Sequence, residues 1–343
     1  MKNTDLLTTL GPVVLAIAAG LGILFVLAYL LTGGKYVVAK TVAQDPSIPH
    51  VTLGGVTFHA EAFGDRANPV VIAIHGGPGS DYRGILSLQA LSDQYFVVFY
   101  DQRGTGLSPR VNPAEITPAS TFADLDAIVN HYGGGRPVNL VGHSWGAMMA
   151  SAYLGQHPEK VDHAVLAEPG FLTAEIGNEW ARATAVRWSP SLLYHFLRAK
   201  FESLHVRGPD DQAADDYFRY RLVGWYLSKD GPMAGYFRPG TGPTEGERWR
   251  PGARANASLM RQGVDTHRKI NIGFIDGVDR FTNKVLFIAS EGTLIGAEWQ
   301  KRHVELFPNA ELVVIPDAGH EMFIENPEVS LAAVRAYLSA PAR

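Results

Sequence analysis

The segment that constrains this chain most is Gly142-His143-Ser144-Trp145-Gly146, a serine held between two glycines. Before it stands the apolar run Pro137-Val138-Asn139-Leu140-Val141, which predicts a short buried strand. After it, residues 147–154 are rich in good helix formers. A strand, a G-x-S-x-G and a helix make a corner so tight that the serine takes a strained backbone and only glycine fits at positions 142 and 146. Such a corner lifts the Ser144 hydroxyl into the open. The helix N-terminus also aims backbone N–H groups, first that of Trp145, at the place where an oxyanion would form. A serine in an ordinary strand-to-helix turn is the alternative reading.

The pattern around this corner repeats. Residues 51–53 and 56–63 read as two antiparallel edge strands joined by Gly54-Gly55. Residues 69–74, 95–100, 163–167, 284–289 and 311–315 are further apolar runs, and the continuous ones are of the kind found in strands covered on both faces. Helical periodicity appears over residues 121–132, with Phe122, Leu125, Ile128 and Val129 on one face, over about 297–306, and over 327–338. This alternation predicts an α/β fold with a mostly parallel sheet and helices on both faces. It stops between about residues 171 and 280, where Trp180, Trp188, Trp225 and Trp249 accompany many tyrosines and arginines. That stretch reads as an inserted helical segment, so the core comprises residues 50–170 and 281–343.

The amino terminus is of another kind. From Leu10 to Leu31 no residue is charged, and at about 1.5 Å per residue such a run crosses roughly 30 Å of hydrocarbon. It exceeds the roughly 7–15 residues of a signal-peptide core, which favours a retained single-span anchor over residues 1–34, with an export signal as the alternative. Lys2 lies on one side and Lys35 and Lys40 on the other, so charge does not rank the two orientations. Residues 35–49, ending in Asp45-Pro46-Ser47-Ile48-Pro49, read as a tether.

Several chemistries are excluded. Cysteine is absent, which removes disulfides and thiolate catalysis, and none of the twelve histidines has a metal-ligand spacing such as H-E-x-x-H. Neither a metal nor a cofactor is expected. A net charge of -4 gives no footprint for nucleic acid. Expected partners are a small-molecule or short peptide substrate and, through the amino-terminal helix, a membrane.

Acyl transfer by Ser144 needs a base, an acid to orient it and donors for the oxyanion. His320 follows the last strand in Asp317-Ala318-Gly319-His320, at the edge where loops carry function, and is the candidate base. His143, inside the corner, reads as a packing residue. In His75-Gly76-Gly77-Pro78-Gly79 the glycines let backbone approach a substrate, so the Gly77 N–H is the candidate second donor beside Trp145. A phosphate-cradling loop fits poorly there, because no Lys-Ser/Thr follows. Two acids preserve the order Ser, acid, His: Glu168, which ends the strand after the corner helix, and Glu291, two residues past the strand that follows the insertion. Glu168 is favoured and Glu291 is the alternative.

Together, His75-Gly76-Gly77-Pro78-Gly79, the run from Asp101-Gln102-Arg103-Gly104 to Thr105-Gly106-Leu107-Ser108, Gly142-His143-Ser144-Trp145-Gly146 and Gly319-His320 resemble the α/β-hydrolase superfamily and, within it, the proline iminopeptidases. The resemblance implies that residues 171–280 form a helical cap over the active site. A glutamate after the strand of Glu168 looks like the acid position of the haloalkane dehalogenase branch, whose aspartate nucleophile Ser144 replaces. The chain departs from the iminopeptidase pattern twice. It has Thr293 near the usual place of the catalytic aspartate, and Trp225 is followed by Tyr226 where a cap glutamate beside a tryptophan would hold the substrate's α-ammonium group. Glu175, Glu179 and Glu202 are the other candidates for that group. The resemblance thus implies a serine hydrolase, first an aminopeptidase of the iminopeptidase type. The alternatives are an ester or lactone hydrolase and, from another class, a non-catalytic ligand-binding protein.

Overall fold

The computed structural model describes residues 4–243, 249–263 and 273–341, with residues 4–11 described as backbone only. Lys2 and residues 244–248 and 264–272 of the insertion lie outside the described residues.

Among the described residues eight strands form one sheet: β1 (His50–Leu53), β2 (Val56–Phe63), β3 (Val70–Ile74), β4 (Phe96–Tyr100), β5 (Val138–His143), β6 (Val161–Ala167), β7 (Val285–Ser290) and β8 (Ala310–Ile315). Their order is β1-β2-β4-β3-β5-β6-β7-β8. The first two are antiparallel, as the Gly54-Gly55 turn requires, and β4 onward is parallel. Successive side chains of β3 serve two cores. Ile72 and Ile74 pack with Leu140, Leu166 and Phe287, whereas Val71 and Ala73 pack with Val141, Val165 and Ile288.

The helices are α1 (Thr4–Leu31), α2 (Pro118–Gly133), α3 (Trp145–Gln156), α4 (Ala174–Ala183), α5 (Pro190–Ser203), α6 (Ala213–Tyr226), α7 (Ala253–Gln262), α8 (Ala297–Val304), α9 (Met322–Glu325) and α10 (Pro327–Leu338). α2 opens on a capping box between Thr117 and Ser120 and buries Leu125, Ile128 and Val129 beside α3 against the first core. A run of 3-10 turns over Tyr82–Asp93 lies with α9 and α10 on the other face.

Helices α4 to α7 stand between β6 and β7. α7 belongs to the body as much as to the insertion, since Ala255 and Leu259 are part of the first core and Asn256 Nδ2 donates to Pro78 O at 2.7 Å. A buried ionic cluster ties these helices to the rest. Arg250 donates to Asp216 at 2.7 Å and to Asp210 at 2.7 and 2.9 Å, and Arg110 also donates to Asp216, at 2.9 Å.

Residues 35–49 are not a free tether. Thr41 and Val42 are buried, Val42 N donates to Leu107 O at 2.9 Å, and Arg250 Nη1 donates to Ala39 O at 3.1 Å. The apolar Val42 and the backbone acceptor at Ala39 find partners on the body, which short-range composition did not reveal. Within α1, the stretch Pro12–Leu31 has a mean hydropathy of 2.7 and is long and apolar enough to cross a membrane.

Candidate active site

Ser144 sits between β5 and α3 with φ 55° and ψ −119°, in the left-handed region that ordinary residues avoid. Its neighbours must be glycine. A Cβ at Gly142 would lie 2.4 Å from Gly146 O, and one at Gly146 would lie 2.0 Å from Ile74 O. The carbonyl of Ser144 accepts from Ala147 and Met148, so the corner passes directly into the first turn of α3.

His320 reaches the same place from the loop after β8. Its amide donates to Tyr236 O at 2.7 Å, and its carbonyl accepts from His143 Nε2 at 2.7 Å. His143 is therefore a buried support for the loop. Glu168, which ends β6 at φ 42°, accepts from His320 Nδ1 at 2.7 Å through Oε2 and from the Ser290 amide at 2.6 Å through Oε1. Both carboxylate oxygens are thus fixed, and Glu168 and His320 are fully buried. An Nδ1–H facing a carboxylate leaves the Nε2 lone pair available, and Nε2 makes no hydrogen bond among the described residues. Glu291 is exposed, and the end of β7 contributes the Ser290 N–H in place of an acid.

The loop from His75 to Gly79 passes close in front of the serine, since a Cβ at Gly76 would lie 2.9 Å from Ser144 Cβ. Gly77 has φ 129°, and its amide and that of Trp145 donate no hydrogen bond among the described residues. Residues 101–108, to which sequence reasoning assigned no task, brace this loop. The Gln102 amide donates to His75 Nε2 at 3.0 Å, and its side chain donates to His75 O at 2.8 Å. Asp101 in turn accepts from the amides of Tyr82 and Leu107 and from His59 Nδ1.

A cavity of about 570 Å³ joins Ser144, His320 and Gly77 to the inserted helices, among them Trp180, His195, Glu202 and Trp225. Of the three acids considered for an ammonium group, Glu175 and Glu179 pair with Arg302 outside this lining. Glu202 lines it and is buried, but it accepts from Arg198 and Arg221 at 2.9 Å each and from Tyr217 at 3.0 Å. Burial works against its ionisation, yet these donors hold its carboxyl below the usual range. Asp81, also in the lining, accepts from the amides of Arg83, Trp249 and Arg250. Burial pushes the guanidinium of Arg219 down to about 10, Asp216 pulling the other way.

A family model described as the alpha/beta hydrolase fold matches residues 69–327. A probable proline iminopeptidase of Streptomyces coelicolor is 28% identical over 305 residues, 81% of this chain and 90% of that protein. Among solved structures, a proline iminopeptidase of Mycobacterium smegmatis superposes with a TM-score of 0.58 at 18% identity, covering 84% of this chain and 97% of that one. A membrane phospholipase A superposes with a TM-score of 0.57 at 16% identity over 96% of this chain and 97% of that one.

Proposed function

The chain belongs to the α/β-hydrolase fold family, and we propose that it is a serine hydrolase working through an acyl-enzyme, with carboxylic esters as its preferred substrates. His320 Nε2 takes the Ser144 proton as the hydroxyl oxygen attacks the carbonyl carbon, and the amides of Gly77 and Trp145 receive the oxyanion. The intermediate collapses as the ring passes that proton to the departing alcohol. A water molecule, deprotonated by the same nitrogen, then releases the acyl group. Glu168 holds the ring in its tautomer and stabilises the imidazolium. The inserted helices of residues 171–280 serve as the cap over this chemistry, and α1 serves as a retained membrane anchor.

The observation that carries this reading is the 2.7 Å contact between Glu168 and His320 Nδ1, with Nε2 unengaged on a ring that lines the same cavity as Ser144. Its test is a fluorophosphonate probe. Wild-type protein is expected to label and Ser144→Ala is not; equal labelling would return the chain to the class of ligand-binding proteins.

An aminopeptidase is the second reading, favoured by the likeness to proline iminopeptidases. It needs a cavity acid for the substrate's α-ammonium group. Glu202 already faces two guanidinium groups, and Asp81 accepts from three amides. Esters lack this requirement. A panel of short acyl esters and prolyl amides separates the two, and turnover of the amides alone would reverse the preference.

A further inference from the structure

Helix α5 has two faces of opposite character. At about 100° per residue, His195, Ala199 and Glu202 share one side, and all three line the catalytic cavity. Leu193, Leu197 and Leu204 fall on the side diametrically opposed, where they are 47%, 45% and 42% exposed. Tyr194 and Phe196 flank them, and Val186 and Trp188, just before the helix, are 56% and 77% exposed. Large apolar side chains exposed together on one side of a helix mark an interaction site.

What adjoins it is α1. Phe25 packs on Phe201 with ring centroids 5.2 Å apart, and Tyr29 stacks on His205 at 4.0 Å. His205 Nε2 also donates to Tyr29 O at 2.9 Å. Both contacts advance by four residues on each chain segment, so the two helices run in the same sense. The earlier turns of α5, with Leu197 and Leu193, therefore point toward the depth of Leu21 and Ile17, which are themselves 62% and 58% exposed. Of the two cations of α5, Arg198 pairs with Glu202, whereas Lys200 shares the outer side, with its ammonium 5.6 Å from the Phe218 ring and its aliphatic stem on the helix surface. The docked segment of residues 35–49 fixes this arrangement to the body.

We infer that the outer face of α5, with Trp188, is embedded in the lipid bilayer beside α1, and that the catalytic cavity opens one helix away from lipid to esters that partition into it. The inference rests on reading α1 as a membrane span. Of the possible occupants of the face, lipid is the one that also surrounds the exposed apolar side chains of α1 beside it, and a lysine there can extend its ammonium toward the headgroups.

The absence of cysteine makes the test direct, because Leu197→Cys carries an environment-sensitive fluorophore at a unique position. The full chain is placed in phosphatidylcholine vesicles. Quenching by doxyl groups on the acyl chains together with protection from iodide is the expected result. Quenching by iodide overturns the inference, and protection from both quenchers overturns it in favour of a second copy of the chain on that face. Carbonate extraction of the same vesicles keeps the two readings apart: a resistant protein with an iodide-accessible label retains the anchor and loses the embedded cap, whereas an extractable protein loses the anchor itself. For the catalytic consequence, Leu193→Gln/Leu197→Gln should lower kcat/KM on a long-chain ester held in vesicles by roughly tenfold while a short soluble ester is turned over as before. An equal effect on both substrates removes the claim of delivery from lipid.

Discussion

Nδ1 of His320 lies 2.7 Å from Oε2 of Glu168, across 152 positions of chain, and the other oxygen of that carboxylate is held by the Ser290 amide. The carboxylate therefore fixes both the orientation and the tautomer of the ring. An amide in its place can present an N–H to Nδ1 and move the ring proton to Nε2, which disables the base.

Glu168→Gln is accordingly expected to lower kcat by about 10²–10⁴ with little change in fold. Glu291→Gln, at an exposed position, should retain wild-type turnover. Ester kinetics with circular dichroism as a folding control check this pair, and a loss at Glu291 without one at Glu168 would reassign the acid.

Two glycine-to-alanine changes should move stability in opposite directions. Gly146→Ala places a Cβ 2.0 Å from Ile74 O and should cost about 3 kcal/mol or more, or prevent folding. Gly224→Ala, within α6 and with nothing within 4 Å of its Cβ, should add about 0.5–1 kcal/mol through helix propensity. Urea unfolding midpoints measure both.

The ionic cluster at Asp216 predicts a third effect. This fully buried carboxylate accepts from Arg110, Arg250 and the Ala253 amide. Asp216→Asn takes from Arg110 the carboxylate it pairs with and leaves Arg250 with Asp210 alone, and should cost about 3–5 kcal/mol. Because Arg250 also holds Ala39 O, limited proteolysis should find new cleavage within residues 35–49.

A pH dependence follows from His303, which is fully buried on α8 between the Leu172 amide and Gln300. Burial, assisted by Arg302, pushes it down to about 3 from 6.5. Between these values the unfolded chain binds a proton that the folded chain does not, so stability falls as pH falls. The loss at pH 5 relative to neutrality is about 2 kcal/mol. His303→Gln should be less stable at pH 7 but should lose less on acidification, as urea midpoints at pH 7 and pH 5 would reveal. An identical acid slope in both proteins would remove His303 as the cause.

Much of this was legible in the chain before any coordinates. The strands announce themselves as apolar runs, and the corner at Ser144 does so through its two glycines, because those signals are local. What stayed open depended on distant partners. Glu168 and Glu291 both follow strands and look alike in sequence; only the packing of the loop after β8 against β6 and β7 distinguishes their surroundings. The bracing of His75 by Gln102 joins two loops, and the docking of residues 35–49 depends on Arg250, some two hundred positions later. The apolar side of α5 could not be told from a core-facing stripe until its inner side was seen to line the cavity.

Ser144 and Glu168 extend from β5 and β6, which pair directly through His143 and Ala167, so their spacing is set before the chain ever enters the insertion. The imidazole and the Ser290 amide that steadies the carboxylate are delivered from beyond it. The helices in between are consequently at liberty to diverge, lengthen or be exchanged for others while the spacing of Ser144 and Glu168 stays intact.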